Sequence, residues 1–168
     1  MDGLSEPAEA SLQPVEPGYR HVLRARLLLL WVPIIIAGFI FSSVMVENNP
    51  GEGALLYRLA LLGPILIALI VVAVAPQRIY RRLRYGLTDR LLQVVRGWLF
   101  HTDTIVPFVR VQHLDVTRGP LDKLFGTATL VVHTAGTRNS IVTVPGLAPD
   151  RAAEIRDIIR EHVRTDYA

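Results

Sequence analysis

The side chains closest to catalytic equipment are His101 and Asp103, with one residue between them, and His113 and His133 further along. An imidazole near a carboxylate can serve as a general base, and imidazoles ligate metals. Here all four residues lie where apolar and polar residues alternate. Isolated histidines on such strands belong to the surface or to cross-strand pairs. The patterns that would organise them for chemistry, H-E-x-x-H, G-x-S-x-G and the P-loop, do not occur. The chain has no cysteine, which excludes disulfides, thiolate chemistry and cysteine-ligated zinc. Gly51-x-Gly53 reads as a turn rather than a phosphate cradle. Ser42-Ser43, inside an apolar run, suits hydrogen bonds to backbone or to a neighbouring helix. The expectation is a protein with no catalytic residues, no cofactor and no metal site.

Charge is more informative. The net charge of +3 over 168 residues is too small to argue for nucleic acid. Its distribution is uneven. Residues 77–168 carry 14 basic and 9 acidic groups, whereas residues 85–168 carry 10 and 9, so the excess is Arg78, Arg81, Arg82 and Arg84. Each basic residue near an anionic leaflet is worth about 1 kcal/mol. These four arginines are the candidate contacts to anionic lipid headgroups, nonspecific in kind, and they also set membrane topology.

The elements that must position these residues begin with two apolar runs. Residues 27–46 are uncharged and, at 1.5 Å per residue, match the roughly 30 Å hydrocarbon core. A polar turn at 47–53 leads to a second run at 54–76, interrupted only by Arg58. Arg58 suits the nearby interface, by snorkelling or pairing with Glu47 or Glu52. Pro33 and Gly63-Pro64 are positions for helix kinks, which membrane packing tolerates. Cleavage as a signal peptide does not fit the first run, since the preceding tail is acidic and no small-x-small site follows. Arg20, Arg24 and Arg26 precede the first run, the four arginines follow the second, and the turn has no Lys or Arg. The positive-inside rule then puts both termini in the cytoplasm of a multi-pass cell-membrane protein. Residues 1–19, with four acids, three prolines and no Lys or Arg, read as a disordered acidic tail.

After residue 78 the pattern changes to short apolar runs punctuated by Gly, Pro and Asp, the mark of antiparallel strands. The expected strands are 80–87, 91–95, 98–102, 109–116, 127–134 and 140–144, with turns at Thr88-Asp89 and Arg96-Gly97. Within 109–116 the alternation changes phase, which a β-bulge would reconcile. After Pro149, a helix is expected whose apolar stripe is Ala152, Ile155, Ile158, Ile159 and Val163, packing over an open end or face of the sheet. The domains are then a tail over 1–19, a helical hairpin over 20–78 and a strand-rich domain over 79–165.

The run Tyr85-Gly86-Leu87-Thr88-Asp89, then Arg96-Gly97 and Ile105-Val106-Pro107, resembles the bacterial pleckstrin-homology (PH) domain of YdbS-like membrane-flanked proteins. The resemblance continues through Val109-Arg110-Val111-Gln112, the stretch from Gly119-Pro120-Leu121 to Phe125-Gly126, and Thr134-Ala135-Gly136, and covers about residues 78–164. It implies a two-helix transmembrane hairpin followed by a mainly-β, PH-like domain: two nearly orthogonal antiparallel sheets, seven strands in all, closed by a C-terminal helix. The seventh strand would come from splitting 80–87 or 109–116. Eukaryotic PH domains gather several bases around the first hairpin loop; the corresponding Thr88-Asp89-Arg90 offers one base beside one acid, a departure that argues against specific phosphoinositide-like binding.

The family's members are generally treated as membrane-tethered binding or scaffolding modules. The expected function is therefore a non-enzymatic module that organises a protein complex at the cytoplasmic face; the alternative is an accessory subunit of a transport or export system, recognised through its helical hairpin. Strand edges suit β-augmentation by a partner peptide. Leu121, Leu124 and Phe125, in a short loop, are the candidate partner contacts, with Phe125 either an anchor or a plug on the sheet edge. Self-association is open, and the protein partner is not specified.

Overall fold

The computed structural model describes residues 11–48, 51–98, 100–135 and 140–166. The chain divides into two compact units, one over His21–Gln77 and one combining Met1–Arg20 with Arg78–Ala168.

The first unit holds the apolar helices. Helix α1 (Tyr19–Asn48) contains Pro33 without interruption. Ser43 donates from Oγ to the Phe39 carbonyl one turn back, at 2.9 Å. The second apolar run forms α2 (Glu52–Ala60) and α3 (Leu62–Arg82), which break at Leu61. Pro64 explains the break, since it has no N–H for the carbonyl of residue 60. Leu61 closes the junction with a tighter bond to the Arg58 carbonyl, 3.3 Å. Only 6% and 17% of the two most apolar stretches are buried. The core helices of a soluble domain would be mostly covered, so this composition fits a transmembrane hairpin.

The second unit is strand-rich and begins before the spans. One sheet has the order β1 (Gln13–Pro14), β2 (Arg84–Leu87), β3 (Leu91–Gly97), β4 (His101–Pro107); the other runs β5 (Val111–Thr117), β6 (Ala128–Thr134), β7 (Ile141–Leu147). All pairings are antiparallel. Side chains alternate as the pleat demands: Ala128, Leu130 and Val132 point into the core, while Thr129, Val131 and His133 do not. A 3₁₀ turn (Phe108–Arg110) carries the chain from one sheet to the other, with Phe108 buried and its N–H on the Arg90 carbonyl at 3.0 Å. Helix α5 (Pro149–Asp166) packs on β5, β6 and that turn. Ala152, Ile155 and Ile159 are fully buried, and Ile158 and Val163 partly, as the stripe predicts. The bulge expected within 109–116 is present, where the β5–β6 register slips between Val111 and His113.

Several expectations need correction. Residues 11–18 are not a disordered tail. Gln13 and Pro14 pair with Tyr85 and Arg84, Val15 is buried, and Glu16 donates its N–H to the Gly146 carbonyl at 2.7 Å. Tyr19 is buried, and its ring lies where a Cβ on Gly146 would stand. Val15 and Tyr19 supply the apolar area that composition alone does not reveal. Residues 1–10 of that tail lie outside the described residues. The seventh strand is therefore β1 rather than a split of 80–87 or 109–116. The expected strand at 80–87 starts only at Arg84, because α3 continues through Arg82. The expected strand at 98–102 is displaced to His101–Pro107, and β3 runs through Gly97, so Arg96-Gly97 is strand rather than turn.

Candidate functional site

β5 is the outermost strand of its sheet, with β6 on one side and, among the described residues, no strand on the other. Helix α5 lies alongside. Between them is a groove of about 350 Å³, whose strand wall is Val111, Gln112, His113 and Leu114 and whose helix wall is Arg156, Arg160 and Val163. The bulge at Gln112 bends the strand there; such irregularities favour sheet edges. Helical periodicity brings the other wall together, because 156, 160 and 163 recur at four and three residues. Arg156 holds Asp157 in a two-pronged contact, Nε to Oδ1 at 2.9 Å and Nη2 to Oδ2 at 3.1 Å. That hydrogen bond lowers the Asp157 pKa below its ordinary value and raises that of Arg156. The pair is solvent-exposed, so its contribution to stability is small. The groove thus sets a strand edge that no other described strand covers beside Val111, Leu114 and Val163 and the two arginines. Such a surface suits an extended acidic segment.

The histidines fall into two places. His113 and His133 face each other across β5 and β6, ring centroids 5.8 Å apart. Asp115 stands beside both, with Oδ1 3.0 Å from His113 Nε2 and Oδ2 3.5 Å from His133 Nε2. Each imidazole addresses a different carboxylate oxygen, so the donors do not converge on one point. Among the described residues no group of three or more His, Asp or Glu is placed to hold a metal ion. His101 and Asp103 lie on β4, in the other sheet, where Asp103 accepts from Gln93 Nε2 at 2.8 Å. Arg96 ties the sheets together through Nη2, which donates to the Thr143 carbonyl and to Thr143 Oγ1. Burial lowers its pKa, and its Nε has no hydrogen-bond partner among the described residues.

Arg78, Arg81 and Arg82 stand exposed on the last turns of α3, and Arg84 is exposed at the start of β2. The loop expected to hold Leu121, Leu124 and Phe125 is instead a short helix, α4 (Pro120–Leu124). Buried Asp122 organises it, accepting from the Gly119 N–H at 3.1 Å and from Thr127 Oγ1 at 2.9 Å. Leu124 is 73% exposed, whereas Leu121 and Phe125 are half-buried, so Leu124 is the most exposed of the three. Gln112, Leu114, Arg156 and Arg160 were not anticipated as a site. The change of phase within 109–116 was the signal that could have pointed there.

A hairpin of apolar helices joined to two antiparallel sheets with a C-terminal helix against them defines a membrane-tethered, PH-like module. The chain belongs to the bacterial PH domain family, whose model matches residues 27–163. It is similar to the UPF0699 transmembrane protein YdbS of Bacillus subtilis (strain 168), at 34% identity over 97 residues. That match spans 58% of this chain and 59% of the relative, less than two thirds of the relative's length. No solved structure matches the chain.

Proposed function

We propose that this protein is a non-enzymatic, membrane-anchored binding module that captures an extended acidic segment of a partner protein along β5 and so organises a complex at the cytoplasmic face of the membrane. The observation that carries this reading is the groove between β5 and α5, where an open strand edge meets Arg156 and Arg160. The edge of β2 at residues 84–85 holds the chain's own residues 13–14, whereas β5 has a groove beside it. The arginine asymmetry about the spans supports cytoplasmic termini. Pairing of β1 with β2 also requires the chain before the first span and the chain after the second to share one side of the membrane, which supports two crossings.

The test is photocrosslinking in native membranes from a reactive residue placed at Gln112. Adducts should form from Gln112, and the charge reversal Arg160→Glu should reduce them. Exchanging residues 27–76 for an unrelated two-helix hairpin, with Arg78, Arg81, Arg82 and Arg84 kept, should leave those adducts in place. Their loss on that exchange, with the strand-rich domain still folded, would overturn the proposal and favour recognition through the spans.

A further inference from the structure

The hairpin joining β3 to β4 has an unusual tip. Gly97 and His101 are its last paired residues, and the sequence between them is Trp-Leu-Phe. Tight hairpin loops favour Gly, Asn, Asp and Ser, which accept the required backbone angles and stay solvated. Here Phe100 is 84% exposed and Trp98 42% exposed; Leu99 lies outside the described residues. Two exposed aromatic side chains at a turn do not serve the domain's core, and apolar surface of that kind marks an interaction site.

The neighbour of this tip indicates its partner. Arg82 donates from Nη1 to the Trp98 carbonyl at 3.2 Å. Arg82 is the last residue of α3 and stands six residues beyond Pro76, where the apolar run ends. Six helical residues advance about 9 Å. The polar layer of a bilayer leaflet is about 5–8 Å deep, so Arg82 emerges at its outer margin. Arg78, Arg81 and Arg82 recur at three and four residues on one exposed face of that helix. An arginine face next to exposed Trp and Phe combines the features that hold protein at a membrane interface: basic groups for lipid phosphates, and aromatic rings for the headgroup level.

We infer that Trp98 and Phe100, beside the end of β3 and the start of β4, form a second membrane contact, seated in the anionic headgroup layer of the same bilayer that the apolar helices cross. The partner is the phospholipid interface, reached beside Arg78, Arg81 and Arg82. This inference does not depend on the β5 groove. It makes the domain a body held at two points, the end of α3 and the hairpin tip.

The full chain carrying Trp31→Phe has Trp98 as its one tryptophan. It would be placed in nanodiscs of phosphatidylcholine and phosphatidylglycerol, with bromines on the lipids either near the headgroup or deep in the acyl chain, and with iodide as an aqueous quencher. The expected result is blue-shifted Trp98 emission, quenched more by shallow than by deep bromines, with iodide quenching largely lost. Full access to iodide without bromine quenching would place the tip in water and overturn the inference. Protection from iodide without bromine quenching would place it against protein and overturn it equally. Stronger quenching from deep than from shallow bromines would refute the assignment to the headgroup layer.

Discussion

Docking of the N-terminal segment can be tested at one glycine. Gly146, near the end of β7, has φ 76°, and a Cβ there would stand 2.5 Å from Cγ, 2.7 Å from Cβ and 3.0 Å from Cδ1 of Tyr19. Gly126 has φ 67°, and a Cβ there would meet nothing within 4 Å. Each Gly→Ala change carries the same left-handed backbone cost, about 1–2 kcal/mol. Gly126→Ala should cost only that. Gly146→Ala must also displace Tyr19, which is 6% exposed, and burial of a large side chain is worth about 1.5–3 kcal/mol. The expected total at Gly146 is about 2.5–5 kcal/mol, a large share of the stability of a small domain. Urea unfolding of the full chain in nanodiscs, followed by near-ultraviolet circular dichroism, measures both. In a Tyr19→Ala background the excess at Gly146 should vanish, because the clashing ring is gone. The Glu16 amide should also lose hydrogen-exchange protection in Gly146→Ala, since its acceptor is the Gly146 carbonyl. Equal costs at the two glycines would refute the docking of residues 15–19.

Ile155→Asp places a charge at a fully buried position and should unfold the domain, whereas Arg156→Asp should melt close to the unaltered chain and act on the groove; thermal melts of the two variants decide, and equal melts would refute the assigned face of α5. A C-terminal alkaline phosphatase fusion should be inactive, and activity in the periplasm would overturn the topology. Because Arg156 depresses the Asp157 pKa, that carboxylate favours the fold at pH above its ordinary value and stops doing so as pH falls through the lower folded value. Melting temperature should accordingly not depend on this pair between about pH 5 and 8, which Asp157→Asn, melted across that range, checks.

The spans were legible because two apolar runs of bilayer length, with Arg58 their one charge, have few alternatives in a chain this size, and the α5 stripe because five apolar residues recur at helical spacing. The bulge was legible as a conflict of phase. β1 was not, since a two-residue strand flanked by prolines and acids has no periodicity of its own. It forms because β2 offers an edge and Gly146 leaves room for Tyr19, and both lie far along the chain. The hairpin tip misled for the opposite reason: Trp98 and Phe100 read as strand residues, while Arg96-Gly97 looked like the turn. The groove draws its walls from residues 111–114 and 156–163, so it exists only once topology makes β5 an outer strand.

The pairing of Gln13 with Tyr85 joins residues 72 positions apart, and both apolar helices lie between them. The strand-rich domain is thus discontinuous in the order of synthesis. Its first strand leaves the ribosome ahead of both spans, and its remaining six follow them. If both helices cross the membrane, as proposed, that strand can pair with β2 only after the chain has returned to the side where it started. A molecule that inserted one span, or three, would leave the first strand and the other six separated by a bilayer, with the β2 edge unfilled and the pocket for Tyr19 empty. On that topology, completion of the domain would be conditional on correct insertion, and an exposed β2 edge would be the local mark of a chain that failed it.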